Sequence, residues 1–394
     1  MLLAAILSLA QAGSVQDLES LVRASAYEVR AADGGFSGPG FDFMVGEGER
    51  SRFFVIGESH GNRETPLLTN ALLPALRAKG YGAYAIETGP LSTRLLVDRV
   101  RRDGPGAIAD LMEETPFSIA FLNWREEGDA VGAALAHGYD VWGIDQEFIA
   151  SGRLLTARLV DIAQDDAARR LSEEWHERAL EGFRAFTEGG PRSKGFMSVV
   201  TEADFDTLQA AFEGGPAEAR EILSALRASA AIYRHYEEQR YYLNNRDRIR
   251  LMKGYLVERL DRSPGARVLI KLGSAHAGRG YSPYDQLDVG NLAAELAFAS
   301  GSDSFHLYVL ARRSLRPDGS STDFMQSSPE LGPFYDRGGA EPLLFDLREL
   351  RAWASARRES DAALHSVVFR FDALLLLPEF HAAEELVPMP DGDR

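Results

Sequence analysis

The sequence predicts an α/β protein: a central, mostly parallel sheet flanked by helices, with a large helical insertion. Short apolar runs alternate with segments of helical period, the pattern of a parallel sheet built from crossover units. Several of those runs end directly in an ionisable residue. One stretch, Ser151 to Arg262, is almost wholly helical in pattern. The expected division is a leader at 1–12, a first α/β part at 13–150, the insertion at 151–262, and a second α/β part with a C-terminal extension at 263–394.

Composition sets the bounds. The chain has 394 residues, a net charge of −16 and no cysteine. Its length leaves ample room for a core. The acidic balance repels phosphate backbones, so nucleic acid is not an expected partner. Disulfides, thiolate metal sites and a cysteine nucleophile are excluded. Met1–Ala12 is an apolar run ending in Ala10-Gln11-Ala12 before Gly13, the pattern of a cleaved signal peptide, which implies a periplasmic or secreted protein. Without cleavage the location is cytoplasmic. No other apolar run approaches the roughly 20 residues of a membrane span.

In order, Ser14–Arg30 has helical spacing. The Gly-rich stretch Ala31–Arg50 reads as a loop with a short edge strand at Phe41–Val45. Phe53–Ile56 is a buried strand that runs into Gly57. Glu64–Lys79 is a helix closed by Gly80. Tyr81–Ile86 is the second strand and ends at Glu87. Ser92–Arg102, Ile108–Glu114 and Asp129–His137 are helical. Tyr139–Ile144 is the third strand and ends at Asp145. Gly189-Gly190-Pro191 and Gly214-Gly215-Pro216 break the insertion, whose last helix is Ala228–Leu260. Arg267–Leu272 is the fourth strand, followed by Gly273-Ser274-Ala275-His276. Asp285–Ser300 is a helix and Phe305–Leu310 the fifth strand. Arg312–Ala340 is polar loop, Leu343–Arg358 helical and Val367–Leu377 strand-like, and the remaining tail is dispensable.

In open α/β sheets ligands sit beyond the carboxyl ends of the strands. Four strands here deliver Glu58 and His60, Glu87, Asp145 and His276 to that edge, including two of only eight histidines. One acid at a strand end is commonly a helix cap. Four such positions together point to a catalytic cleft. The remaining histidines, His137, His176, His235, His306, His365 and His381, have no partner at motif spacing and read as surface or core. Tyr233, Tyr236, Tyr241 and Tyr242 read as core or cleft wall.

Gly57-Glu58-Ser59-His60-Gly61 also fits the G-x-S-x-G nucleophile elbow, with Asp145 and His276 following in the order of a serine hydrolase triad. Only about 50 residues precede it, little room for the strands and oxyanion loop of that fold, and it leaves His60, Glu64 and Glu87 without a task.

Gly57–Glu64, Ala85–Gly89, His137–Gln146, Asn245–Met252 and Lys271–His276 resemble, in order and context, motifs of the erythromycin esterase-like family, within a wider superfamily that includes ChaN and Tiki. The resemblance spans roughly Phe53 to Leu310. It implies His60 as catalytic histidine, Glu58 and Glu87 as site carboxylates, His276 as second histidine, and Arg246 with Asp247 as an Arg-Asp pair. Gly-x-x-His occurs twice, at Gly57–His60 and Gly273–His276, which is closer to the Tiki and ChaN groups.

The expected function is hydrolysis of an ester or amide bond in a small molecule. His60 activates water, Glu58 or Glu87 fixes its tautomer, and His276 binds the oxyanion or protonates the leaving group. Glu64, Asp145, Arg246 and Asp247 are the candidate substrate-binding residues. This reading requires no cofactor. Two alternatives use the same residues: His60, Glu58, Glu87 and His276 as ligands of a divalent metal, or a histidine as axial ligand of a bound haem.

Overall fold

A computed structural model describes residues 17–32, 35–188, 195–316, 318–339, 341–358 and 361–388. The expected signal peptide and the Gly189-Gly190-Pro191 break lie outside them.

The chain opens with helix α1 (Leu18–Ala24), strands β1 (Ala26–Glu28), β2 (Arg30–Ala32) and β3 (Gly35–Ser37), and helix α2 (Pro39–Arg50). Next come β4 (Ser51–Glu58), α3 (Glu64–Arg77), β5 (Tyr81–Ile86), α4 (Pro90–Asp103), α5 (Ala107–Glu114), α6 (Arg125–Ala136) and β6 (Asp140–Gly143). The described residues between β6 and β7 form only helices: α7 (Gly152–Asp161), α8 (Asp166–Thr187), α9 (Phe196–Val199), α10 (Glu202–Ala211), α11 (Ala217–Glu237) and α12 (Tyr241–Arg262). Strand β7 (Arg267–Gly273) returns to the sheet. It is followed by α13 (Ser274–Ala277), α14 (Val289–Ala299), β8 (Asp303–Leu315), β9 (Ser321–Asp323), α15 (Phe324–Ser327), α16 (Gly332–Arg337), β10 (Leu343–Asp346), α17 (Arg351–Ser355), α18 (Ala362–Arg370) and β11 (Ala373–His381).

The strand order is β1-β10-β11-β8-β4-β7-β5-β6, with β9 paired to β8. From β11 through β6 every neighbour is parallel, while β1, β9 and β10 join antiparallel. The sheet is therefore mixed and mostly parallel, as the sequence predicts. Strand β7 enters between β4 and β5 although a helical excursion separates it from both in sequence. Glu58, Glu87 and Gly273 thereby share one edge.

Both faces of the sheet are covered. Alternate residues of β4 divide between two cores: Phe54 and Ile56 pack with Leu68, Leu72, Leu96 and Val131. Phe53 and Val55 pack with Met252, Leu256, Val289 and Ala293. That is the period of two expected of a strand buried on both sides. Helices α7 to α11 close a third core around Trp175, Phe205, Leu208 and Leu226.

Several local expectations are corrected. Pro39–Arg50 is a helix rather than a loop with an edge strand. Pro39 occupies its first turn, and Gly48 serves packing: a Cβ there would stand 2.3 Å from Leu76 Cδ2. The first helix ends at Ala24, and its expected continuation pairs with β10 as β1. Ala228–Leu260 is two helices, broken where Gln239 takes φ +57°. Leu343–Asp346 is a strand between β1 and β11 rather than the start of a helix. Val367–Arg370 closes α18, and the strand begins only at Ala373. The tail is not loose. Asn62 bridges Ala382, and Trp124 bridges Glu385.

The glycines give a test of this packing. A Cβ on Gly290 would stand 2.0 Å from the Ala277 carbonyl, whereas one on Gly46, inside α2, meets nothing within 4 Å. Gly46→Ala is expected to raise stability by about 0.5–1 kcal/mol through helix propensity. Gly290→Ala is expected to lower it, both read from urea midpoints.

Candidate active site

Strand β4 ends at Glu58 and the chain turns through Ser59 and His60, with Gly61 at φ +82° against the Trp124 ring. His60 Nδ1 lies 3.1 Å from Glu58 Oε1, and Nε2 lies 3.5 Å from Glu87 Oε2. The Phe121 ring stacks on the imidazole, with centroids 4.2 Å apart. The His60 side chain keeps 28% of its surface exposed, enough for water to reach it.

Glu87, just beyond β5, is the centre of the cluster and is buried. Its Oε2 accepts the Gly273 N–H at 2.6 Å and its Oε1 accepts Arg248 Nη2 at 2.7 Å. Arg248 also bonds Asp145 through Nε at 3.0 Å and Nη2 at 2.5 Å. Beyond Glu87, His276 Nε2 stands 3.9 Å from Oε1. His276 Nδ1 is held at 2.9 Å by Asp288, the N-cap of α14. Two imidazoles therefore face one carboxylate, and each is anchored at Nδ1 by another acid. Behind Glu58, the buried Lys271 ammonium donates to Glu58 at 2.5 Å and to Glu127 at 2.7 and 2.9 Å.

Burial alone would disfavour every charge here, so the shifts report what outweighs it. For Glu87, the charges of His60, His276 and Arg248 overcome burial and hold the carboxyl below its usual range. For Glu58, burial raises the carboxyl, but Lys271 and His60 bring it below its usual value. Burial would lower His60, but the Glu87 charge and the Glu58 hydrogen bond raise it above 6.5. Glu127, at the far end of the chain of ion pairs, is raised, with burial the largest cause.

Of the residues predicted from sequence, the structure brings together Glu58, His60, Glu87, Asp145 and His276. Arg246 and Asp247 stand apart from that cluster. They pair with each other at 2.8 Å on the outer side of α12, and Asp247 faces His235 at 3.4 Å. Glu64 turns to the tail, where it holds His381 Nδ1 at 2.7 Å and the His381 N–H at 2.9 Å. Arg248, Lys271, Glu127, Asp288 and Phe121 complete the site and were not singled out by the sequence. Arg248 has a legible signal, because it lies in the i+4 row of Met252, Leu256 and Leu260, which are buried. Lys271 is a charge set inside the apolar run that follows Arg267 in its strand. Phe121 takes φ +67° and Phe117 φ +61°, a strain of about 1–2 kcal/mol each that no sequence pattern announces.

A cavity of about 560 Å³ opens beside the cluster at Arg248. Phe121, Trp124, Phe148, Tyr233, Tyr241 and Tyr284 give it an aromatic wall, and Asn244 and Gln146 add polar points. That volume suits a small molecule.

The serine triad is not assembled. Asp145 is spent on Arg248, and His276 is held by Asp288. The donor set also fits a divalent metal poorly: Glu58 is neutralised by Lys271 and Glu87 by Arg248, and those cations would repel the ion. Among the described residues no three histidine or acid side chains are grouped to hold one. A haem iron fits no better, since both Nε2 atoms face Glu87. No described helix is long and apolar enough to cross a membrane.

Solved structures share this fold. A Bacillus cereus protein aligns with a TM-score of 0.59 at 12% identity, over 95% of this chain and 100% of its own. A mutant of the erythromycin esterase EreC, in its open conformation, aligns at 0.60 and 14%, over 88% and 95%. A succinoglycan biosynthesis protein aligns at 0.60 and 11%, over 94% and 98%. No protein-family model and no curated protein sequence matches the chain. The chain has the erythromycin esterase-like fold that its motifs anticipate.

Two expectations follow from the geometry. A Cβ on Gly273 would stand 2.8 Å from His60 Nε2 and 3.4 Å from Glu87 Oε2, and the backbone there (φ −52°) accepts alanine. Gly273→Ala should therefore displace the imidazole, read as a shift of the His60 ring resonances in a histidine-labelled sample, with little change in the urea midpoint. The tail ties both site loops together: Ala383 N donates to Gly61 O, Arg125 N to Glu384 O, and Leu386 N to Asn123 O. Deleting residues from Ala382 onward should leave the sheet folded and speed amide exchange selectively at 59–63 and 121–126.

Proposed function

We propose that this chain, built on the erythromycin esterase-like fold, is a hydrolase that cleaves an ester bond of a small molecule with a histidine-activated water. The observation that carries the reading is the pair of oriented imidazoles on either side of Glu87. With Nδ1–H donated to the Glu58 carboxylate, His60 carries its lone pair on Nε2, the atom facing the cleft and Glu87. A water at Nε2 would lose its proton there as it attacks the substrate carbonyl. Glu58 and Glu87 stabilise the imidazolium that forms. In its doubly protonated form His276, with Nδ1–H on Asp288, presents Nε2–H to hydrogen-bond the developing oxyanion or to protonate the leaving alcohol. Arg248 is committed to Glu87 and Asp145 and helps to keep the Glu87 carboxyl below its usual range. The aromatic cavity supplies the apolar wall for the substrate. This route uses only side chains of the chain.

Amide cleavage would demand stronger protonation of the leaving group. The fold shared with EreC, an erythromycin esterase, and the motif resemblance agree with an ester substrate. If the leader at 1–12 is cleaved, the enzyme works in the periplasm or outside the cell.

The test is a screen of nitrophenyl and lactone esters with purified protein. His60→Ala is expected to lower kcat by about 10²–10⁴-fold, and Glu58→Gln to follow it, whereas Ser59→Ala keeps wild-type turnover. Loss of activity in Ser59→Ala with retention in His60→Ala would replace this reading with a serine hydrolase. The base must be neutral, so kcat/KM should rise with pH, with its midpoint above 6.5 because the His60 value is raised. The linkage to stability runs the other way. A raised value in the folded state stabilises it below the unfolded value of about 6.5, and that contribution is lost as pH climbs through the folded value.

A further inference from the structure

We infer that Lys271, backed by Glu127, is a positioning residue: it holds Glu58 as an ionised acceptor and thereby fixes His60 in the tautomer with Nε2 free. The inference rests on the hydrolase reading for its kinetic consequence, but its geometry stands apart from it.

Glu58 is buried, and only its Oε1 is engaged, shared by His60 Nδ1 and the Lys271 ammonium. The other oxygen, Oε2, is buried without a hydrogen-bond partner. All compensation for this carboxylate therefore arrives through one oxygen. Lys271 supplies the only cation bonded to Glu58 among the described residues. It comes from β7, the strand adjacent to β4, with Lys271 opposite Ile56 in register. Its ammonium has no reacting atom near it and lies behind Glu58, so it acts through Glu58 alone. Glu127 on α6 takes the other side of the ammonium with both oxygens. That carboxylate stops the ammonium from turning elsewhere. The groups facing His60 are thus Glu58 and Glu87 directly, with Lys271 and Glu127 behind Glu58.

Removing the ammonium leaves Glu58 and Glu127 as two buried acids with no cation between them. Like charges in that setting cannot both ionise, and a proton is taken up between them. The two acids share that proton, and in the fraction of molecules that carry it on Glu58 the carboxylic acid donates to Nδ1. The imidazole then carries its hydrogen on Nε2 and has no lone pair for water. A wrong histidine tautomer is costly in serine hydrolases, where it lowers kcat about 10⁴-fold.

The experiment labels histidine with ¹⁵N in the full chain and assigns His60 by its loss in His60→Ala. Spectra are taken above the His60 midpoint for wild type, Lys271→Met, Lys271→Gln and Glu127→Gln, each checked for folding by circular dichroism. Wild type should show Nδ1–H. Lys271→Met should shift His60 toward Nε2–H, and Lys271→Gln, which keeps a donor without the charge, should do so in part. Glu127→Gln leaves Lys271 and Glu58 paired one to one and should keep the wild-type tautomer. With an active ester, kcat of Lys271→Met should fall as far as the spectra show His60 depleted of the Nδ1–H form, at unchanged KM. A wild-type tautomer in folded Lys271→Met overturns the inference. If Lys271→Met does not fold, a wild-type tautomer in Lys271→Gln does so. The spectra need no substrate, so a failed ester screen would count against the hydrolase reading and not against the placement of Lys271.

Discussion

A carboxylate sealed inside a protein has to be answered by positive charge and N–H groups, and Glu87 imposes that demand on the whole carboxyl edge of the sheet. Left alone, a buried carboxylate costs several kcal/mol even after the surroundings relax. Here the answer comes from distant parts of the chain: Arg248 from a helix, the Gly273 N–H from a strand end, one imidazole from the turn after β4 and one from the short helix α13. The order of the strands follows from it as much as from apolar packing. Strand β7 has to lie between β4 and β5 for Gly273 to reach Glu87, and α12 has to return across the sheet for Arg248 to do so.

The same demand explains why the site is rich in acids yet poor as a cation trap. Glu58, Glu87, Asp145 and Glu127 are each matched to Lys271 or Arg248. What remains for chemistry is the pair of imidazoles, each oriented by its own acid. The acids that surround a histidine in sequence can thus serve to hold it rather than to share a ligand with it.

Much of the fold was legible because its strands are short apolar runs flanked by helices of clear period. The edge that carries Glu58, Glu87, Asp145 and His276 was legible for a related reason, since a polar residue after a buried strand marks where the strand leaves the core. The lapses have physical causes. The glycines of α2 were read as loop, when Gly48 permits close helix packing against Leu76. Leu343–Asp346 continues a helical spacing into the 3-10 turn Leu347–Leu350, and only its neighbours β1 and β11 make it a strand. On α12 the Arg-Asp motif drew attention to Arg246 and Asp247. Two residues further along, a rotation of about 200° brings Arg248 to the inner face. Phe121 gave no sign at all, because its role depends on a left-handed backbone that only the assembled loops enforce.

The strap at 382–387 has a consequence for how the protein comes into being. The residues that meet at the site span the chain from Glu58 to Asp288, but the loops bearing His60 and Phe121 are tied down by backbone hydrogen bonds from a segment translated about a hundred residues after the last of them. Domains begin to fold as they emerge during synthesis. The sheet can therefore form around a cleft whose walls are still loose, and the cleft acquires its final geometry only when the strap has left the ribosome. Completion of the cleft becomes a late event in the life of each molecule, separate from the earlier moment at which it becomes compact.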